Sequence, residues 1–307
     1  MIIRDVQVDV GSLVDRSLVQ ADMVLRLVAT DGAVRLVVRD ASSGQFAGLS
    51  VSRTPGGWHP AGVVDEAVIA PFALSPDGSR LLLGNPDLGR NRLSLHTLAT
   101  GAATILPPGP GDGANAAAFA PDGKRIAMLT SDDEAASVVV LDVDGGRVRE
   151  LWSAEGGTHA GTVVSWSPDG GFLAVTYLDP DDSDHTVVVD GDGRLVADVP
   201  EMAIVGRSRL CWTSDHDLFV NYEFWGSPDV PRPVVLVDAA TGERREIAQP
   251  WGLGVGSFGA LDGRVLRLED SRRVVSTAFD GSDPRPVLDV GPDHGITFMD
   301  ARPGALG

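Results

Sequence analysis

The fold of this chain is decided by Trp166-Ser167-Pro168-Asp169-Gly170, which precedes the apolar run 172–177. The pattern is an aromatic or apolar residue, a turn that contains aspartate, and a short apolar segment. Four further stretches follow the same pattern, at 74–83, 119–129, 212–220 and 258–268. The turn aspartates stand at positions 77, 122, 169, 215 and 262, so successive copies are 45, 47, 46 and 47 residues apart. So regular a period predicts a repeat architecture.

Each copy predicts a four-stranded antiparallel sheet. Proline presets the φ of a turn, aspartate bonds to its own backbone, and glycine takes the left-handed position, so the turn joins two strands. The apolar run after it is short and bounded by turn residues, which favours a buried strand. A second turn in each unit, such as 144–146 or 190–193, joins two more strands. We call the four strands a to d; such sheets cover both of their faces by stacking radially.

The Ser-Pro-Asp-Gly turn at this spacing resembles the WD40-like repeat of the TolB-type β-propellers, over about residues 70–290. The resemblance implies a ring of six blades but no particular reaction, because this scaffold hosts many functions. We therefore expect an all-β propeller of six four-stranded antiparallel blades in one domain, with seven blades as the alternative. The predicted blades span 13–52, 69–106, 114–152, 162–199, 206–248 and 254–290. Terminal strands at 2–10 and 296–300 are predicted to close the ring, and either could complete a blade.

The composition restricts the partners. Lys plus Arg is 25 against 43 for Asp plus Glu, a net charge of −18, which repels phosphate backbones and acidic lipid surfaces. We therefore expect no nucleic-acid partner and no membrane partner.

Cys211 is the single cysteine, so no disulfide can form within the chain. The first five residues lack the pattern of a signal peptide, which favours the cytoplasm, whereas many TolB-type proteins are exported.

Two kinds of connection are expected at the two ends of the ring. The short a–b and c–d turns share one end, here called the turn face. The long b–c and d–a connections share the other, here called the long-loop face. Variable loops often carry function, so we expect a ligand or protein partner on the long-loop face around the central channel. The candidate ligand-binding residues are Trp58, His185, Arg207, Tyr222, Trp225 and Trp251. The candidate acid–base groups are His59, His159 and His294.

Two arginines, Arg207 and Arg209, are predicted on the inner strand of blade 5, together with Cys211 and Trp212. One of them could point into the channel and hold an anion or carboxylate. Packing beside acidic neighbours explains them equally well.

Most motifs of known chemistry are absent. The sequence has no Gly-x-Ser-x-Gly, His-Glu-x-x-His, Gly-x-x-x-x-Gly-Lys or Cys-x-x-Cys, so we predict no cofactor. The acidic segment 179–185 suits a hard cation by composition but lacks EF-hand spacing, so a solvated loop is the simpler interpretation and we predict no metal site. The sequence leaves two functions possible. One is a binding scaffold, and the alternative is an enzyme, namely a lyase, lactonase or isomerase, with its active site at the channel mouth.

Overall fold

The structure, a computed structural model, describes residues 6–8, 13, 18–49, 70–85, 92–107, 114–131, 135–144, 146–157, 162–206, 208–222, 234–247, 257–303 and 305. Its strands follow the period of the sequence. The first four are β1 (Val6–Gln7), β2 (Ala21–Ala29), β3 (Val34–Asp40) and β4 (Phe46–Gly48). The next eight are β5 (Ala70–Leu74), β6 (Arg80–Asn85), β7 (Arg92–Thr97), β8 (Ala103–Ile105), β9 (Ala114–Phe119), β10 (Arg125–Ser131), β11 (Ala135–Asp142) and β12 (Val148–Glu155).

The second half repeats the arrangement. Its strands are β13 (Val163–Trp166), β14 (Phe172–Leu178), β15 (Asp184–Asp190), β16 (Leu195–Pro200), β17 (Met202–Ile204), β18 (Asp217–Tyr222), β19 (Val234–Asp238), β20 (Arg244–Ile247), β21 (Ser257–Leu261), β22 (Arg264–Glu269), β23 (Arg273–Thr277), β24 (Arg285–Asp289) and β25 (His294–Ala301). The described strands form six sheets, one per blade, and the prediction of an all-β propeller with six blades is confirmed.

Both termini take part in closing the ring. The carboxyl-terminal strand β25 is the inner strand of blade 1, antiparallel to β2, with Leu25 opposite Met299. The amino-terminal strand β1 instead adds a fifth strand to the outer edge of blade 6, parallel to β24, with Val6 opposite Leu288. Of the two terminal segments, the carboxyl-terminal one therefore completes a blade.

The a–b turns have the chemistry that their sequence predicts. In blade 2, the Ser75 hydroxyl donates to Asp77 Oδ1 over 2.6 Å and the Ser79 backbone N–H donates to the same oxygen over 3.0 Å. Ser167 and Asp169 repeat the first bond in blade 4, also at 2.6 Å. Burial raises the pKa of Asp77, but the hydrogen bonds from Ser75 and Ser79 outweigh it and lower that pKa overall. In blades 2 and 4 the turn before the b strand is thus stabilised by hydrogen bonds among its own residues.

The hydrophobic core lies between neighbouring blades. One cluster joins Val138 and Leu151 of blade 3 to Trp166, Val175 and other residues of blade 4. The other face of blade 3, with Val139 and Leu141, packs against blade 2, so each face of this blade is covered by a different neighbour. Within the described ranges, no helix has the length and apolar character needed to cross a membrane.

Blade 5 departs from the prediction. Its inner strand is Met202–Ile204, and a 3-10 helix follows at Ser208–Cys211, so Arg209 and Cys211 are not on a strand. Gly206 has φ +93°, a left-handed conformation that ends the strand before the polar residues that follow. Trp212 returns to the sheet through a single bridge to Leu218. Arg207 lies outside the described residues.

Candidate functional site at the turn face

The 3-10 helix of blade 5 lies at the centre of the ring. It contacts the inner strands β9, β13, β21 and β25, which belong to blades 3, 4, 6 and 1. The helix therefore plugs the channel near the ends of the inner strands, where the a–b turns begin.

A cavity of about 380 Å³ lies at this mouth of the channel. All six blades contribute to its described lining, through residues at the ends of the inner strands, in the segments that follow them, and, for Arg209, in the 3-10 helix. These residues are Pro76, Phe119, Pro121, Trp166, Pro168, Arg209, Trp212, Thr213, Ser214, Asp215, Ala260, Leu261, Asp262, Gly263 and Pro303. Because proline holds its φ near one value, four of these turns form a stiff rim.

Three aromatic side chains form one wall of the cavity. Phe119, Trp166 and Trp212 each precede an a–b turn and are only 6%, 3% and 4% exposed. The Trp212 indole N–H donates to Ser165 Oγ over 2.9 Å, which fixes the ring. The Trp166 indole N–H is buried and has no acceptor within the described part of the chain. The guanidinium of Arg125, on β10 of blade 3, lies 4.8 Å from the centre of the Trp166 ring of blade 4, so this cation–π contact joins the two blades.

Arg209 forms the floor of the cavity. Its guanidinium donates to the carbonyl of Leu74 over 3.0 Å, and Leu74 belongs to blade 2 whereas Arg209 belongs to blade 5. Blades 2 and 5 are opposite in a ring of six, so this side chain crosses the channel. The Leu74 N–H donates to Asp300 Oδ2 over 2.8 Å, so both backbone groups of Leu74 are held. Burial lowers the pKa of Arg209, and the nearby Asp300 carboxylate opposes that shift.

The predicted site residues fall into two groups. Trp58, His59, His159, Arg207, Trp225 and Trp251 lie outside the described residues, so the long-loop site stays a prediction. Tyr222 ends β18 opposite Met202, and His294 begins β25 opposite Ala29, both at the long-loop end of their strands. The strand from His294 to Ala301 spans roughly 23 Å, so His294 and the cavity are at opposite ends of the channel.

His185 belongs to the body of blade 4. It lies on the c strand β15, where its Nε2 contacts the Asp198 carboxylate and its ring centre is 5.3 Å from that of Tyr177. The Tyr177 ring in turn meets Trp152 of blade 3 at 5.2 Å. The contacts of His185 itself are thus with residues of its own blade, on the c strand and not on the inner strand that borders the channel.

The acidic segment 179–185 forms a turn in which Asp179 accepts the backbone N–H groups of Asp181 and Ser183, at 2.9 and 3.0 Å. Among the residues that the structure describes, no three His, Cys, Asp or Glu side chains come together in a way that could hold a metal ion.

The sequence analysis does not predict the aromatic wall, although the three residues that form it share one position of the repeat. Phe119, Trp166 and Trp212 occupy the same position of the repeat, directly before the turn. Equivalent positions on inner strands meet around the axis of a propeller. An aromatic residue in this position of three successive blades was therefore the signal for a cavity on the turn face.

Comparison with known proteins identifies the fold. No family model matches the sequence, and no curated protein is significantly similar to it. Among solved structures, TolB from Acinetobacter baumannii has a TM-score of 0.63 and 18% identity, covering 92% of this chain and 67% of that one. The chain has the fold of a TolB-type β-propeller. A putative TolB from Agrobacterium tumefaciens has a TM-score of 0.52 and 16% identity, covering 92% of this chain and 99% of that one.

The TolB-type fold is shared with an enzyme. Oligogalacturonate lyase from Vibrio parahaemolyticus has a TM-score of 0.56 and 10% identity to this propeller, covering 89% of this chain and 84% of that one. Likeness at these identities describes the scaffold alone, so function has to be argued from the site.

Proposed function

We propose that this TolB-type propeller is a binding scaffold whose ligand or protein partner docks at the turn-face mouth of the channel. The observation that carries the proposal is the cavity, with Phe119, Trp166 and Trp212 on its wall and the 3-10 helix beneath it. Three successive blades each contribute one aromatic residue to the lining of this cavity.

The size and lining of the cavity suit a ligand. Ligand sites typically enclose about 300–1,000 Å³ and combine an apolar lining with a few polar groups. Here the polar groups are the Arg209 floor and the exposed rim carboxylates Asp215 and Asp262. Tryptophan and arginine are enriched among the residues that dominate binding energy, because an indole buries a large apolar area and a guanidinium donates several hydrogen bonds in a fixed geometry.

A variant with a bulky side chain at the mouth of the cavity tests the proposal. Asp215 is exposed on the rim and makes no hydrogen bond within the described ranges, so Asp215→Trp adds bulk without removing a contact. We expect this variant to bind the ligand at least about tenfold more weakly, which is about 1.4 kcal/mol. The ligand is isolated on the immobilised wild type from an extract, identified by mass spectrometry, and titrated by calorimetry.

The matched control is Asp144→Trp, which makes the same change at an exposed c–d turn of the same face, away from the cavity. It should bind as the wild type does. The competing face is tested by Trp225→Ala and Trp251→Ala. If these weaken binding tenfold and Asp215→Trp does not, the partner uses the long-loop face and the turn-face proposal is wrong.

The enzyme alternative rests on His59, His159 and His294. The described lining of the cavity contains no histidine, and the lyase neighbour supports only the shared scaffold. Binding without turnover is therefore the function that we propose. A loss of turnover of about a hundredfold on changing one of the three histidines to alanine, with substrate binding retained, would favour catalysis instead.

A further inference from the structure

We infer that the turn-face cavity takes a small organic carboxylate that also carries an aromatic or bulky apolar group. The inference rests on the proposed function, because it names the class of ligand for that site. Its acidic group would meet Arg209 at the floor, and its apolar group would lie against Trp166 and Trp212.

The first step is the hydrogen-bonding capacity of Arg209. A guanidinium has five N–H donors arranged in a fork that matches a carboxylate. Within the described part of the chain, Arg209 makes one hydrogen bond, to the Leu74 carbonyl, and no carboxylate oxygen lies within ion-pair distance of it. The Asp300 Oδ2 accepts the Leu74 N–H, and the charge of Asp300 raises the pKa of Arg209. Donors therefore remain for a ligand.

The second step is the electrostatics of the cavity. Arg209 is the one basic residue among the described lining residues, and burial lowers its pKa because the charged form is poorly solvated there. An anion in contact with the guanidinium offsets the free-energy cost of keeping that charge buried, because opposite charges attract strongly in a medium of low dielectric constant. The rim carboxylates Asp215 and Asp262 are exposed, so water and salt screen their repulsion of an entering anion.

The third step is the indole wall. Trp166 is 3% exposed, yet its indole N–H has no acceptor within the described ranges. A buried donor without an acceptor costs about 1–3 kcal/mol, and a ligand oxygen can supply the missing partner. Together, a cationic floor, an unsatisfied donor and flat aromatic surface select an acid with an apolar body over a neutral or cationic compound.

The test compares 3-phenylpropionate with 3-phenylpropionamide, which has nearly the same shape but no charge. Binding to the full chain is followed through the indole N–H signals of Trp166 and Trp212 in NMR titrations. We expect the acid to bind at least about tenfold more tightly than the amide, because charge-assisted hydrogen bonds are roughly twice as strong as neutral ones. Arg209→Gln should abolish this preference.

Arg80→Gln is the matched control. Arg80 is half-buried and also donates to a carbonyl of another blade, Gly123 O at 2.9 Å, but it does not line the cavity. This variant changes the net charge equally and should keep the preference for the acid. The comparison of acid and amide on the wild type stands even if Arg209→Gln does not fold.

Equal affinity for the two compounds overturns the inference, as does an acid preference that survives in folded Arg209→Gln. Absence of any shift of the Trp166 and Trp212 signals with the acid overturns it too. None of these results decides which face binds the natural ligand, because that question is answered separately by Asp215→Trp.

Discussion

Gly78→Ala is expected to lower the free energy of unfolding by about 3 kcal/mol or more. Gly78 has φ +74°, and a Cβ there would lie 2.0 Å from the Ala21 carbonyl oxygen, which is backbone and cannot rotate away. A left-handed alanine costs about 1 kcal/mol, and overpacking a tight contact adds about 1–3 kcal/mol. The contact also joins blades 1 and 2, since the Ala21 N–H donates to the Gly78 carbonyl over 2.7 Å.

The same turn of the next blade supplies the control. Gly123 has φ +68° and occupies the same position of the repeat, but the nearest atom to its added Cβ is Pro76 Cδ at 3.8 Å. Gly123→Ala should therefore cost only the conformational strain, about 1 kcal/mol. Urea unfolding of both variants measures the difference, with the slope of the transition checked for change. Equal losses of unfolding free energy in the two variants would show that the close approach of residue 78 to the Ala21 carbonyl does not add to the cost of the substitution.

Stability is expected to fall by about 3 kcal/mol between pH 7 and pH 4 through His96 alone. His96 is 7% exposed on β7, with its Nε2 2.9 Å from Ser94 Oγ. Burial lowers the pKa of His96 from 6.5 to about 4. In the unfolded chain this histidine is protonated below about pH 6.5, whereas in the folded chain it is protonated only below about pH 4. The unfolded state therefore binds one more proton across that interval, and the free energy of unfolding falls by about 1.4 kcal/mol per pH unit as the pH is lowered.

His96→Gln removes this group from both states. Urea unfolding at several pH values should show that the wild type loses about 3 kcal/mol more than the variant between pH 7 and pH 4. The turn carboxylates act in a lower interval: hydrogen bonding to Ser42 lowers the pKa of Asp40 to about 2, so its contribution is lost below pH 3.8. If the wild type and His96→Gln lose the same free energy of unfolding between pH 7 and pH 4, protonation of His96 does not cause the loss of stability.

The sequence alone determined the blade. Turn formation is local, because Ser75 and Ser79 donate to Asp77 within five residues, and the apolar run that follows needs only a covered face. The 45–47-residue period therefore predicted a repeated four-stranded sheet and its turns without any knowledge of contacts between blades, whereas the number six was implied by the resemblance, with seven blades as the alternative. The same pattern placed an aromatic residue directly before three of the turns, but it did not predict that these residues line a cavity.

Only the tertiary structure decided how the ring closes and what lies at its centre. Segments near both termini have strand character, and pairing at a sheet edge depends on partners 271 residues apart, as with Arg26 and Thr297. The break at Gly206 turned the expected inner strand of blade 5 into a 3-10 helix, and its contacts with four other blades carry Arg209 across the channel to Leu74. A cavity at a ring axis depends on six blades at once, so no local pattern specifies which polar group will form its floor.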